Sequence, residues 1–366
     1  MTKFALKSSD VELINCDWPQ RLNDLAYAYG KPNVIGKIKQ SPTDFIVTEV
    51  MTIEPSGEGE HYWLDITKTR LNTDAVAKSL ARFSGVSNRD VGYSGMKDFN
   101  AVTRQWFSVW KPKGHNLDWG EYALDGVTIN QVTKHTRKIK RGTHTANHFK
   151  IRILGLSGVE NIKQNLDSRL DEIRLKGVPN YFGEQRFGRN VNNLPQVCDM
   201  FLGGKRVKDR NLRGILLSSA RSWLFNSVVS ARVKAKTWQS LYAGEPANLD
   251  GTNSVFRVTN VAAENARAER LDIHPTAPLW GQRSKEDRCG LNACDALNEL
   301  ESMAMEDYAL LQKGLEAARI EYQRRATRLA PSDVDWFYDQ ECVTLSFKLQ
   351  RGQFATSVLR ELISTL

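Results

Sequence analysis

Apolar and polar residues follow two different patterns along the chain. Segments rich in β-branched and aromatic residues predict β-strands, and in two of them apolar and polar residues alternate with the strand period of two. The first four segments lie in the first half of the chain and the fifth lies near its end: 45–50, 61–67, 102–110, 147–153 and 343–349.

Apolar residues at helical spacing predict helices at 74–83 and 160–176, and helical patterns dominate from about residue 178 to residue 325. We interpret 296–319 as one long acidic helix at the surface. A final helix is expected within 354–363, capped by Thr356 or Ser357. The order strand-rich, helix-rich, strand-rich predicts an α+β domain that is interrupted by an insertion.

Composition narrows the class of protein. The 366 residues are 41% hydrophobic and 25% charged, which is typical of a globular protein with roughly two or three domains. The five cysteines are scattered and form no C-x-x-C pair, which favours reduced thiols and a cytoplasmic location over a disulfide framework or a zinc site. No apolar run approaches the ~18 residues of a membrane span. We find no motif for a metal or an organic cofactor.

Positive charge is concentrated in one segment. The net charge is +9, and residues 126–159 hold seven Lys or Arg and no acidic residue over 34 positions. This concentration favours a face that binds the phosphates of a nucleic acid, although a solvated pair of basic strands would have the same composition. The RNA-binding candidates in this segment are Lys138, Lys140 and Arg141.

A glycine-containing turn precedes the strand at 102–110. Gly92 and Gly95 are expected to act as hinges that adopt backbone angles closed to other residues, and Lys97 and Asp98 follow them. Such a turn can present an acid and a base in an active-site loop. Taken alone, the spacing also fits a plain polar turn in which Asp98 caps a backbone amide.

The turn resembles the signature G-x-K-D-x-x-A-x-T-x-Q of the tRNA pseudouridine synthase D (TruD) family. Six positions match: Gly95, Lys97, Asp98, Ala101, Thr103 and Gln105. Three further segments resemble motifs of the same family: K-x-x-P-x-D-F-x-V-x-E at 39–49, N-Y-F-G-x-Q-R-F-G at 180–188 and G-x-F-A-T-S-V-L-R-E at 352–361. The resemblance runs from about residue 36 to residue 366 and does not include the first thirty-odd residues.

The resemblance implies a fold and a division into domains. We expect an α+β fold in which a pseudouridine synthase catalytic domain with a mixed or antiparallel sheet carries a helix-rich, TruD-specific insertion. Residues 1–177 and 326–366 would form the catalytic domain, and residues 178–325 would form the insertion. The insertion would position tRNA, with Arg186 as its RNA-binding candidate because a guanidinium offers a planar fork for phosphate.

The resemblance also implies a reaction, which is the conversion of uridine 13 in the D arm of tRNA to pseudouridine, without cofactor or metal. Asp98 would be the nucleophile, attacking either C1′ of the ribose or C6 of the base. Lys39 would be its charge partner, with Lys97 ranked second because adjacent strand residues point to opposite faces. The flipped base would be held by Phe45, Asn147, Phe149 and Phe354.

A second class of function also fits the positive charge of the chain. A catalytically silent RNA-binding or RNA-folding protein on the same scaffold would have the same basic charge. The intact Asp98 motif favours the enzyme, because a protein that only binds RNA needs no acid facing a polyanion. A monomer is the expected oligomeric state.

Overall fold

The computed structural model describes residues 12–111, 117–204, 207–283, 294–339 and 342–365. The chain divides into two compact units. The sheet unit comprises residues 33–167, 331–355 and 363–366, and the helical unit comprises residues 1–32, 168–330 and 356–362. Of the described residues, 12–32 and 168–177 thus group with the helical unit by their contacts, and the division at 177/178 and 325/326 stays a prediction.

The strands, in chain order, are β1 (Ile35–Lys37), β2 (Phe45–Val50), β3 (His61–Thr69), β4 (Val91–Tyr93), β5 (Val102–Trp110), β6 (Val127–His135), β7 (Ala146–Ser157), β8 (Val178–Pro179), β9 (Pro246–Leu249), β10 (Val255–Arg257), β11 (Ile273–Leu279), β12 (Gln323–Ala326), β13 (Arg328–Leu329), β14 (Ser332–Asp339), β15 (Cys342–Gln350) and β16 (Ser364–Thr365). The helices are α1 (Trp18–Asn23), α2 (Thr73–Ser84), α3 (Ile162–Lys176), α4 (Asn193–Phe201), α5 (Arg210–Lys234), α6 (Val261–Glu269), α7 (Asp295–Met305), α8 (Ala309–Ala317) and α9 (Ala355–Leu362). Each of these helices is too short or too polar to cross a membrane, which holds for the described residues.

A mixed sheet forms the sheet unit, in the order β14-β15-β7-β2-β5-β3-β6. Only β2 and β5 run parallel within this order, and the other neighbours are antiparallel. Helix α2 follows Asn72 and is closed by Gly85 just after its last residue, and it buries Val76 and Leu80 in a core shared with Phe107 of β5. The predicted α+β class with a mixed sheet is confirmed.

Helix α5 is the main element of the helical unit. It contacts α4, α7, α8 and strand β11, and most of its apolar side chains, including Trp223 and Phe225, are buried. Arg232 of α5 forms a fully buried ion pair with Glu245, and Arg324 forms a second one with Glu301. Charged side chains this deep in a protein are almost always paired, as these four are.

The prediction of one solvated helix at 296–319 is wrong. Helix α7 ends at Met305, and Glu306–Tyr308 forms a short 3₁₀ turn before α8 begins. The break places the Tyr308 ring against Trp18 and Trp223, with ring centres 6.2 and 5.8 Å apart, so tertiary packing overrides the local helical pattern. The surface assignment also fails, because Leu297, Leu311 and Leu315 of these two helices are buried.

The predicted cap of the last helix is also wrong. Helix α9 begins at Ala355, so Thr356 and Ser357 lie inside its first turn. The Ser357 hydroxyl is buried and donates a hydrogen bond of 2.9 Å to the backbone oxygen of Tyr181, which gives this hydroxyl a partner outside its own helix.

Candidate active site

The parallel pairing of β2 and β5 brings two loops to one place. Ile46 of β2 lies opposite Val102 of β5, so the segments that enter the two strands meet at the same edge of the pair. Lys39 lies in the segment before β2, and Asp98 lies in the segment before β5. The Nζ of Lys39 is 2.7 Å from Oδ2 of Asp98, and the two side chains are 22% and 35% exposed. The Asp98 carboxylate is therefore paired with a cation while still accessible to a substrate.

The backbone of Lys39 is held in an uncommon conformation. Its φ of 55° lies in the left-handed region, which costs about 1 kcal/mol or more for a residue with a side chain. Asn100, two residues after Asp98, donates a hydrogen bond of 3.3 Å to the backbone oxygen of Lys39. The Lys39 ammonium also lies 4.0 Å from the centre of the Phe45 ring, which is a cation–π distance. These contacts aim the ammonium at Asp98.

The loop that carries Asp98 is fastened by buried polar groups. Lys68 of β3 donates hydrogen bonds to the backbone oxygens of Asp98 and Leu71, at 3.0 and 2.7 Å. Its burial lowers the pKa of the Lys68 ammonium to about 8. Lys68 was missed in the sequence, although a lysine within an otherwise buried strand is a signal that could have revealed it.

The contacts of Gln105 and Thr73 give the glutamine of the family signature a structural role. Gln105 of β5 donates a hydrogen bond of 3.1 Å to the backbone oxygen of Gly95. Thr73, the first residue of α2, donates to Gln105 Oε1 and accepts from the backbone amide of Lys97, both at 3.0 Å. The loop from 94 to 101 thus has fixed contacts with both β5 and α2.

The expectation that Gly92 and Gly95 adopt unusual backbone angles is wrong, since neither has a positive φ. Gly92 is required for a different reason. A Cβ atom there would lie 2.3 Å from the backbone oxygen of Ile139, so glycine permits close contact between β4 and the segment at 138–141. At Gly95 a Cβ atom would lie 3.2 Å from the His144 ring, which is tight but not prohibitive.

Lys97 points toward a different carboxylate from that of Asp98. Its Nζ donates a hydrogen bond of 2.7 Å to Oδ1 of Asn147 and lies 3.3 Å from Oε2 of Glu49. Burial lowers the pKa of Lys97 and raises that of Glu49, and the attraction between the two groups opposes both shifts. The adjacent residues Lys97 and Asp98 diverge here in a loop rather than in a strand.

The four candidates for the base pocket lie at different depths in the sheet unit. Phe45 and Phe149 are 3% and 8% exposed and pack edge to face, with ring centres 6.0 Å apart. Phe149 also stacks on Phe347 of β15 at 5.6 Å. Asn147 and Phe354 are half-buried, and Phe354 lies between β15 and α9. Phe45 contacts Lys39 of the Lys39–Asp98 pair.

The basic candidates in the sheet unit line an open cleft of about 420 Å³. Lys138, Lys140 and Arg141 are among its lining residues, and Lys78 and Arg89 add two further positive side chains. In the helical unit, the half-buried Arg186 donates a hydrogen bond of 3.0 Å to Ser218 Oγ and lies over the Phe182 ring at 5.1 Å. Burial lowers its pKa. Its role in binding RNA stays a prediction.

The signature loop also exposes two apolar side chains. Met96 and Phe99, on either side of Lys97 and Asp98, are 54% and 53% exposed.

The part of the chain that the structure describes contains no candidate metal site, because no three His, Cys, Asp or Glu residues cluster there in a way that could hold an ion.

The fold is similar to that of a solved protein. The crystal structure of a putative tRNA pseudouridine synthase D (TruD) from Methanosarcina mazei superposes with a TM-score of 0.74 at 19% identity, covering 94% of this chain and 97% of that one. This similarity shows that the two proteins share a fold, which is the fold class expected from the sequence.

Sequence comparison defines the family. The family profile described as tRNA pseudouridine synthase D (TruD) matches residues 21–206 and 198–362. The tRNA pseudouridine synthase D of Aeromonas salmonicida (strain A449) is 41% identical over 343 residues, covering 93% of this chain and 94% of that protein. The corresponding protein of Methylococcus capsulatus is 40% identical over 349 residues, with the same coverage. The chain therefore belongs to the tRNA pseudouridine synthase D (TruD) family.

Proposed function

We propose that this protein is a tRNA pseudouridine synthase that isomerises uridine 13 in the D arm of tRNA, with Asp98 as the nucleophile. The observation that carries the proposal is the accessible Asp98 carboxylate, paired at 2.7 Å with the Lys39 ammonium in a loop that has buried anchors. The names of the relatives support tRNA as the substrate. Position 13 rests on the resemblance of the signature motifs.

The reaction conserves every atom of the substrate. The C1′–N1 bond breaks, the base turns, and a C1′–C5 bond forms, while C5 loses a proton and N1 gains one. Asp98 attacks C1′ or C6 and is released when the new bond is complete. Lys39 donates a hydrogen bond to the carboxylate, which holds the carboxylate in position. Because the exchange is balanced in electrons, no redox cofactor is needed.

The target uridine has to leave its stack in the RNA before Asp98 can reach it. Extruding a nucleotide costs a few kcal/mol, which enzymes recover by contacts to the flipped base. Asn147 can read the edge of uracil because an amide both donates and accepts hydrogen bonds. We assign the aromatic side of the pocket to Phe45, Phe149 and Phe354, the positions implied by the resemblance.

Binding of the tRNA backbone is assigned to the basic cleft. Its five cations, Lys78, Arg89, Lys138, Lys140 and Arg141, surround one acidic lining residue, Asp74, which pairs with Lys78 at 2.8 Å. An open groove with this excess of positive charge suits a phosphate backbone. Arg186 is the second candidate for phosphate, in the helical unit.

Substitution of the nucleophile tests the proposal. Asp98→Asn is nearly isosteric and replaces a carboxylate by a poor nucleophile, so we expect pseudouridine formation to fall by roughly 10³-fold or more at unchanged tRNA affinity. Carbodiimide mapping of tRNA, incubated with each purified protein, locates and quantifies the product. Asp125→Asn, at an exposed acid in the same unit, is the matched control.

The same experiment separates the two classes of function. A comparable rate for Asp98→Asn would refute its role as nucleophile. If the unmodified protein forms no pseudouridine yet accelerates the refolding of denatured tRNA, the protein is an RNA-folding factor rather than a synthase. Product at a position other than 13 would correct the site but retain the reaction.

A further inference from the structure

Glu49 and Asn147 form a cross-strand pair beside the proposed active site. They are direct partners in the antiparallel ladder between β2 and β7, so their side chains project from the same face of the sheet. Lys97 reaches this pair from the Asp98 loop and bridges it, with Nζ 2.7 Å from Asn147 Oδ1 and 3.3 Å from Glu49 Oε2. A single buried ammonium thus contacts a carboxylate and an amide at once.

The carboxylate of Glu49 depends on this ammonium. Its side chain has no solvent exposure, and Oε1 accepts a hydrogen bond of 3.3 Å from the backbone amide of Trp106. Oε2 accepts no hydrogen bond from any residue that the structure describes. The His144 Nδ1 is 3.9 Å from Oε2, and burial together with the nearby cations Lys97 and Arg351 lowers the pKa of His144 to about 4. A neutral His144 leaves Lys97 as the counter-charge of Glu49.

Lys97 decides which way the Asn147 amide points. An asparagine amide has an acceptor end and a donor end, which exchange when it turns by half a rotation. A lysine ammonium can only donate, so it selects the orientation with Oδ1 toward Lys97. The Nδ2 group then points away from Lys97, and its contact to His144 Nε2 is long, at 3.5 Å. That contact takes one of the two amide hydrogens, and the other remains for a ligand.

We propose that Glu49 and Lys97 are positioning residues that lock the Asn147 amide, so that its Nδ2 donates to the C4 carbonyl oxygen of the flipped base. The inference rests on the proposed function, in which Asn147 contacts that base. Uracil carries two carbonyl oxygens on its pairing edge, whereas cytosine replaces one of them with an amino group. A locked donor accepts uracil and opposes the cytosine amino group, and an amide free to turn fits both.

A double substitution removes the lock while keeping the pocket filled. In Glu49→Leu/Lys97→Met, apolar side chains of similar length replace the ion pair, which avoids leaving one buried charge alone. We expect the single-turnover rate at saturating enzyme to fall about 10- to 100-fold, while the half-saturating enzyme concentration stays within about twofold, because phosphate contacts dominate tRNA affinity. Asp65→Leu/Arg104→Met removes another ion pair of the same sheet and should leave both quantities unchanged.

Base preference distinguishes a positioning role from a merely structural one. In an Asp98→Asn background, where turnover is slow on the time scale of binding, we compare the binding of tRNA carrying uridine or cytidine at the target position. With the ion pair intact, uridine should be preferred about tenfold, the typical size of one base-edge discrimination. With Glu49→Leu/Lys97→Met, the preference should fall toward one.

The possible results distinguish failure of the inference from failure of the proposed function. An unchanged rate and an unchanged base preference in a folded double variant would overturn the inference, even if its stability falls. If Glu49→Leu/Lys97→Met does not fold, Glu49→Gln/Lys97→Gln replaces it with the same expected outcome, since a glutamine at 97 can accept as well as donate. Absence of product from the unsubstituted protein would refute the proposed function. The binding comparison would still report on the Asn147 lock, because it needs no turnover.

Discussion

The side chain of Lys68 donates a hydrogen bond of 3.0 Å to the backbone oxygen of Asp98, and Lys68 has no solvent exposure. Its other acceptor is the backbone oxygen of Leu71, at 2.7 Å. The buried ammonium therefore ties the main chain of the proposed nucleophile to the loop that follows β3. Two consequences of this arrangement are measurable: one in the free energy of unfolding and one in the geometry of the site.

The first prediction concerns the pH dependence of stability. Burial lowers the pKa of Lys68 from 10.5 to about 8, and the neighbouring charges of Asp98 and Lys97 oppose each other. Between these pH values the unfolded chain binds more protons than the native protein, so this contribution to stability grows as pH rises and is lost as pH falls through 8. From about pH 7.5 to about pH 9.5, the native protein should gain about 2 kcal/mol relative to Lys68→Met.

Urea denaturation of the protein and of Lys68→Met at both pH values provides the measurement, and the difference between the two proteins cancels the titration of all other groups. The single-turnover rate of Lys68→Met should also fall about 10- to 100-fold at saturating enzyme, because Asp98 loses an anchor. A stability difference that does not change with pH would show that Lys68 titrates normally.

The second prediction concerns the charge partner of Asp98. Lys39→Met keeps an apolar contact with Phe45 but removes the cation 2.7 Å from the carboxylate. We expect the saturating single-turnover rate to fall about 10²-fold, the loss that is typical when one electrostatic contact in an active site is removed. Lys37→Met, at an exposed lysine of the adjacent strand β1, is the control and should keep the rate. Equal rates for the two variants would remove Lys39 from the mechanism.

The third prediction concerns the basic cleft. Reversing the charges of Lys138, Lys140 and Arg141 should weaken tRNA binding and flatten its salt dependence, by roughly 0.7–0.9 in the slope of log K against log salt for each lost phosphate contact. Binding titrations over a series of salt concentrations measure this slope. The same reversal at the exposed residues Lys31, Lys37 and Lys163 controls for net charge. Matching slopes for the two triple variants would indicate a general charge effect and no RNA contact in the cleft.

The fourth prediction uses two equally exposed aromatic residues. Phe99, next to Asp98, and Phe337 of β14 are each 53% exposed. If Phe99 stacks on a nucleotide beside the target, Phe99→Ala should weaken tRNA binding about tenfold, within the range of about 1–3 kcal/mol for one base on an aromatic ring. Phe337→Ala should not change the binding constant. A similar loss in both variants would assign Phe99 no special place in the complex.

The fifth prediction concerns the core of the helical unit. Arg232 pairs with Glu245 and donates hydrogen bonds to the backbone oxygens of Thr237 and Ser240, all within the protein interior. Arg232→Leu leaves Glu245 buried without a cation, which should lower the free energy of unfolding by about 3–5 kcal/mol. Urea denaturation measures the loss. Arg232→Leu/Glu245→Leu should recover part of it, and a double variant no more stable than the single one would contradict the role of the unpaired charge.

Local patterns in the sequence were enough to predict much of the secondary structure of the sheet unit. Strand period and residue type predicted the strands at 102–110 and 343–349, which the structure has as Val102–Trp110 and Cys342–Gln350. Gly177 follows the helix predicted at 160–176, which the structure has as Ile162–Lys176. These patterns are readable because each depends on residues that are near neighbours in the chain.

The break between α7 and α8 was not readable in this way. The residues around Tyr308 have a helical pattern, but the ring packs against Trp18 and Trp223, which lie far away in the sequence. The lost helical bonds are offset by contacts whose partners only the folded chain supplies. Local propensity is a weak determinant wherever tertiary packing opposes it.

The candidate site likewise has features that the sequence predicts and features that only the folded chain decides. The sequence alone pointed to Asp98, because the signature around it occupies eleven consecutive positions, 95–105. Lys39 lies 59 positions away, and the parallel pairing of β2 and β5 decides that the two side chains meet. The tertiary structure likewise turned Lys97 toward Glu49 and Asn147, since strand pairing and loop path set those distances. Side-chain chemistry is written in the sequence, whereas the contacts between distant residues exist only once the sheet has formed.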